Sequence, residues 1–206
     1  MNSTVASLLT PGKGLLAADE SLPTIGQRFK EFSIPPSEEN RRAYRELLFT
    51  TPGLSTFISG VILFDETIRQ RTKERIPFTE ILRSHGMLAG IKVDRGTVAL
   101  ANHPGEKITE GLDGLRERLS EYHQLGARFT KWRAVGTIGR DLPTRGGLAA
   151  NARHLALFAA LSQEAGLVPI VEIGYAGIRT RRKWNHLRVF RGEIKKRSLA
   201  GIGRNG

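Results

Sequence analysis

Cysteine is absent from all 206 residues, which excludes a disulfide framework, a thiolate metal site and a cysteine nucleophile. Long apolar runs are absent as well: nothing approaches the roughly 20 uninterrupted residues that a membrane-spanning helix needs. The stretch Met1 to Leu9 places no basic residue ahead of its apolar ones and does not read as a secretory signal. Together these absences point to a cytoplasmic protein with no membrane contact, so the Asn2-Ser3-Thr4 sequon is a chance match. Acidic side chains are scarce relative to basic ones, 20 against 32, for a net charge of +12. The excess is concentrated: between Ile173 and Gly206 ten Lys and Arg face Glu193 alone, so nine of the twelve net charges lie there. Residues 1–172 have an ordinary charge balance, and only the basic end suggests nucleic acid or an acidic partner.

What is present is a hydrophobic fraction of 39%, enough for a packed core, arranged so that strand-like and helix-like runs alternate. Strands are expected at about 14–19, 55–64, 88–94, 127–135 and 167–172. Helices are expected from Ser37 to Phe49, with Ser37 as N-cap and Glu38 and Glu39 in the first turn, from Phe78 to His85, from Gly111 to Gln124 and from Gly147 to Ala165. The segment Glu20–Arg28 reads as a loop of hydroxyls, glycine and a guanidinium, suited either to a phosphate or to a plain surface turn. Regular alternation of this kind argues for parallel βα units.

The strand expected at 127–135 is unusual. Its alternation sets Phe129, Lys131 and Arg133 on one face and Thr130, Trp132 and Ala134 on the other. Other strands also finish on ionisable groups: Asp19, Lys92 with Asp94, and Glu172. Charges converging at the carboxyl ends of successive parallel strands mark the active-site end of an α/β barrel or a doubly wound sheet. The plainer readings are an edge strand with one wet face, or a buried ion pair between Lys131 and Glu172.

Several separated segments, in order, carry a resemblance. They are Pro11 to Ser21 (PGKGLLAADES), Glu39 to Arg42 (ENRR), Gly60 to Phe64 with Glu66-Thr67, Gly90 to Asp94 (GIKVD), Thr109 to Asp113 (TEGLD), Lys131-Trp132-Arg133, Asn151-Ala152 and Val168 to Glu172 (VPIVE). The chain resembles the class I fructose-bisphosphate aldolases, (β/α)8 TIM barrels that form a Schiff base with a ketose in glycolysis and gluconeogenesis. The resemblance implies an incomplete barrel with about five parallel strands over residues 1–172, a sugar phosphate as substrate, and neither cofactor nor metal. It implies catalytic roles for Asp19 in breaking the carbon–carbon bond, Lys131 beside the covalent intermediate and Glu172 in proton transfer. Ser21, Arg28, Lys92 and Arg133 are implied as contacts to the hydroxyls or phosphates of fructose 1,6-bisphosphate. Relatives of full length are expected to be homo-oligomers.

The resemblance stops at Glu172. The family's second carboxylate, two residues further on, is replaced by Gly174, and no segment matches the sixth strand with its Schiff-base lysine or the later phosphate-binding loop. Residues 173–206 are expected to form a basic non-family tail, disordered or read out of frame, and the truncated chain is expected to be inactive by itself. The alternative reading is a catalytically dead binding protein whose tail, with Trp184 and Phe190 among its arginines, contacts nucleic acid or an acidic partner.

Overall fold

A computed structural model of the chain describes residues 1–176. Eight helices and seven strands are present among them. In chain order they are α1 (Asn2–Leu8), β1 (Gly14–Ala18), α2 (Leu22–Glu31), α3 (Glu38–Phe49), α4 (Leu54–Phe57), β2 (Ile58–Leu63), α5 (Asp65–Arg69), α6 (Phe78–Ser84), β3 (Leu88–Lys92), β4 (Thr97–Ala99), β5 (Lys107–Thr109), α7 (Leu115–Gln124), β6 (Ala127–Thr137), α8 (Arg145–Glu164) and β7 (Val168–Ala176). One sheet has the strand order β1-β2-β3-β6-β7, and β4 and β5 pair antiparallel as a separate two-stranded sheet. The five expected strands are therefore the five of the main sheet.

The chain divides into two compact units. The first comprises residues 1–92, 118–130 and 165–168; the second comprises 93–117, 131–164 and the residues from Pro169 onward. In the first unit β1, β2 and β3 run parallel, with Ala18, Leu63 and Ile91 on one rung. Val61, Leu63 and Ile91 are wholly buried, as apolar strands covered on both faces require. Gly60 and Gly90 lack side chains for a specific reason: a Cβ at Gly90 would lie 2.2 Å from Cε2 of Phe129, and one at Gly60 would lie 3.0 Å from Cε1 of the same ring. The Phe129 ring therefore fills the interior face at these two positions. On the outer side Phe49 of α3 meets Phe78 of α6 edge to face at 5.3 Å, a geometry that aromatic quadrupoles favour.

In the second unit α8 presents Asn151, Ala152, Leu155, Phe158, Ala159 and Ser162 as its buried side. Trp132 of β6 lies against Phe158 with ring centroids 5.4 Å apart, so the outward face of β6 is the apolar one and Lys131 and Arg133 take the other. Thr144 caps α8 by accepting the Gly147 N–H on its hydroxyl.

Four departures from the sequence reading stand out. Leu22–Glu31 is a helix where a loop was expected: Pro23 lies in its first turn, where no N–H is needed, and Ile25 and Phe29, one turn apart, are buried. The strand expected from 55 begins only at Ile58, because residues 54–57 make a helical turn. The hairpin β4–β5 was not expected. Finally, β7 continues to Ala176, four residues past the expected boundary at 172, while residues 177–206 of the expected tail lie outside the described residues.

Candidate active site

In the first unit Asp19 and Lys92 each stand at the carboxyl end of a strand. Asp19 follows the Ala18 rung directly and Lys92 follows Ile91. Two strand spacings separate their backbones, about 10 Å. Leu15 and Gly90 share the face occupied by the Phe129 ring, and strand alternation carries that face on to Asp19 and Lys92. Asp19 is buried and Lys92 half-buried.

Ser21 is the N-cap of α2, and its Oγ lies 3.0 Å from Oγ1 of Thr24 in a hydrogen bond. Arg28 donates to Glu20, whose carboxylate also accepts from the fully buried guanidinium of Arg45. Ser21, Thr24 and Arg28 follow a three–four spacing and so line one side of α2. Just beyond β2, Glu66 accepts a bidentate pair from Arg41, Nε to Oε1 at 2.8 Å and Nη2 to Oε2 at 2.6 Å. Beside it, Asp65 accepts from the hydroxyl of Tyr122 at 2.8 Å. Burial and this hydrogen bond raise the phenol of Tyr122 above its ordinary pKa.

The second unit brings three of the expected residues together. Nζ of Lys131 lies 2.6 Å from Oε2 of Glu172, and Nε of Arg133 lies 3.4 Å from Oε1 of the same carboxylate. Lys131 is the better covered cation, with 12% of its side chain exposed against 52% for Arg133. The short, sheltered lysine contact is the stronger one, because water screens the other. Gly174, on the same face of β7 as Glu172, has the Arg133 guanidinium lying over it: a Cβ there would come 2.7 Å from Nε. Two cations thus share the Glu172 carboxylate in this unit. Such a cluster can hold an anion and hand protons through Glu172 and Lys131.

Two residues that the sequence reading did not nominate hold this arrangement from behind. Asp94 accepts the backbone N–H of Arg133 at 3.2 Å, and the Thr109 hydroxyl donates to the Arg133 carbonyl at 2.7 Å. The sequence marks Asp94 only by its shared face with Lys92, and Thr109 lies on a strand of three residues, too short to show a period. Among the described residues no group of three or more His, Asp or Glu is arranged to hold a metal ion, and no helix is long and apolar enough to cross a membrane.

The family model described as Fructose-bisphosphate aldolase class-I matches residues 1–175. The chain belongs to this family. Among its relatives, the Xanthomonas campestris pv. campestris protein named "Probable fructose-bisphosphate aldolase class 1" is 60% identical over 169 residues, which are 82% of this chain and 51% of that protein. The cytosolic fructose-bisphosphate aldolase 6 of Arabidopsis thaliana is 54% identical over 170 residues, 82% of this chain and 48% of that protein. A solved structure of fructose-bisphosphate aldolase from Plasmodium falciparum superposes with a TM-score of 0.91 at 40% identity, over 99% of this chain and 59% of that one. The aldolase fold expected from sequence, an incomplete (β/α) barrel with five parallel strands, is the fold observed. This aldolase chain spans about half the length of the curated relatives it matches.

Proposed function

We propose that the chain carries the carboxyl-end acid–base and anion-binding groups of a class I fructose-bisphosphate aldolase, and that the 206-residue polypeptide does not by itself cleave fructose 1,6-bisphosphate. The observation that carries the first part is the Lys131–Glu172 pair at 2.6 Å with Arg133 beside it. In its protonated form Glu172 gives its proton to a carbinolamine hydroxyl that leaves as water, and Lys131 steadies the carboxylate that remains on Glu172. Asp19, at the end of β1, takes the hydroxyl proton whose removal lets the carbon–carbon bond break. Lys92, Arg133, Ser21 and Arg28 supply the cations and hydroxyls that two phosphates and the sugar hydroxyls require.

The second part rests on the state of the amines. A Schiff base forms only from an uncharged amine pressed against a carbonyl. Among the described lysines, Lys131 pairs with Glu172, while Lys30, Lys73 and Lys107 are exposed and Lys13 and Lys92 are half-buried. Members of a catalytic unit contribute non-additively, so acid–base groups add little to the rate unless an amine is positioned with them. The test is to incubate the purified chain with dihydroxyacetone phosphate and borohydride and to look by mass spectrometry for a covalent adduct, alongside a cleavage assay. No adduct and no turnover are expected; a stoichiometric adduct on a single lysine overturns the reading and names the nucleophile. In parallel, Arg133→Ala is expected to weaken fructose 1,6-bisphosphate binding about tenfold or more, and equal binding by both chains removes Arg133 from the site.

A further inference from the structure

We infer that Thr109 and Asp94 are positioning residues for Arg133 and Lys131: their side chains hold the Arg133 backbone beyond the end of β3 and thereby fix where the two cations point. The inference rests on the anion-binding reading above but concerns groups that do not touch the substrate.

In a parallel pair, the N–H and C=O of one residue point to the same neighbour, and those of the residue two further on do so again. The Val93 N–H donates to the Lys131 carbonyl at 3.1 Å, so Lys131 faces the β3 side with its backbone groups. Arg133, two residues on, must face the same way. The next ladder bonds would use the Val93 carbonyl and the Arg95 N–H. β3 has ended at Lys92, and Arg95 has turned aside: its N–H donates to the Glu110 carbonyl at 2.8 Å, and the Glu110 N–H in turn donates to the Gly96 carbonyl at 2.9 Å. Gly111, at a φ of 127°, comes so close to this turn that a Cβ would lie 3.0 Å from both Val93 O and Arg95 N. The chain leaving the hairpin has therefore drawn the Arg95 N–H away from β6.

With the Arg95 N–H turned away, the Arg133 carbonyl loses its ladder donor, and an unpaired carbonyl is costly. Instead Asp94 Oδ2 accepts the N–H and Thr109 Oγ1 donates to the C=O. Asp94 is itself fixed, since its Oδ1 accepts the Gly96 N–H at 3.1 Å. Both residues are buried, Thr109 at 1% exposure. A side chain gripping each end of one residue holds that residue's rotation about the strand axis, and a small rotation swings the end of a long guanidinium away from Glu172. The same rotation is transmitted through two peptide units to Lys131.

The experiment uses the full chain with arginine labelled in its side-chain nitrogens, and inorganic phosphate as the probe. In the unmodified chain the Arg133 Nε–H resonance is expected to shift saturably with phosphate, and the Arg133 amide to exchange with solvent as slowly as that of Val93. Thr109→Val is expected to move the ligand-free Arg133 Nε–H resonance and to weaken phosphate binding roughly fivefold, the size of one lost buried hydrogen bond. Thr109→Ser, which keeps the donor, should restore both, whereas a purely structural threonine would show no such rescue. An unchanged Nε–H resonance in Thr109→Val, or free-loop exchange of the Arg133 amide in the unmodified chain, overturns the inference. If phosphate leaves the unmodified chain unperturbed, the anion-binding reading falls, while the ligand-free resonance and the amide exchange still decide the positioning role. If Thr109→Val does not fold, the exchange rate in the unmodified chain decides it.

Discussion

At the scale of single residues, the arrangement depends on two glycines and one phenylalanine as much as on the charges. Phe129 occupies the space over Gly60 and Gly90, and close-packed interiors cannot absorb an added methyl there without displacing the ring. Gly90→Ala is expected to destabilise the chain by about 1–3 kcal/mol in urea titration, and adding Phe129→Leu should recover part of the loss. Equal stability of the single variant and the parent would mean that the ring is not confined by Gly90. A second residue-scale expectation concerns acid. Burial pushes the Glu46 carboxyl up, but the Arg42 guanidinium and the Lys73 backbone N–H outweigh it and hold the carboxyl below its ordinary value of 4.5. A carboxyl depressed in the folded state stabilises above its unfolded pKa and loses that contribution as pH falls. Glu46→Gln should therefore cost about 1 kcal/mol near neutrality and converge with the parent as pH drops below 4.5. Thermal melts across that range would expose a constant difference if the pair with Arg42 were not responsible.

At the scale of elements, the start of α8 shows how a helix is set in place. The sequence places it near Gly147, where the apolar periodicity begins; the structure starts it at Arg145 with Thr144 as cap. The buried carboxylate of Glu106 accepts both the backbone N–H and the hydroxyl of Thr144, which suits a helix N-terminus because the dipole there favours negative charge. Thr144→Ala is expected to cost about 1–2 kcal/mol, since it removes the cap and one partner of Glu106. Gly147 must remain small, as a Cβ would lie 2.1 Å from Oε1 of Glu106. Hydrogen exchange in the first turn of α8 would reveal the loss of the cap, and unchanged protection there would deny it. The hairpin carrying Glu106 could not be read from the sequence, because strands of three residues have no alternation to detect. The helix α2 was legible only in part: Pro and Gly within it read as breakers, although Pro is harmless in a first turn.

At the scale of the whole molecule, β1 is the terminal strand of the main sheet and among the described residues pairs only with β2. Leu15 on this strand is 38% exposed, and Leu9 just before it is 74% exposed. An edge strand with apolar side chains is a template for pairing with another chain. Self-association by light scattering is therefore expected to rise with concentration and to fall in Leu15→Lys, whose charge opposes edge pairing; identical scattering by both chains would locate the association elsewhere. The curated relatives are about twice as long as the matched region.

The amino-acid sequence alone determined the five main strands, their alternation with helices and the family. These depend on short-range periodicity and on motif strings that survive without knowledge of the fold. It also determined that Phe129, Lys131 and Arg133 share a face, because side-chain direction along a strand repeats every two residues. Only the tertiary structure decided that Lys131 and Arg133 both meet Glu172, which lies about 40 positions away in the chain. Only the structure, too, showed Arg133 lying over Gly174 and held by Asp94 and Thr109. Those relations depend on where β3 stops and how a short hairpin returns. Such outcomes are set by packing and by the need to satisfy buried backbone groups, and no local pattern of residues records them.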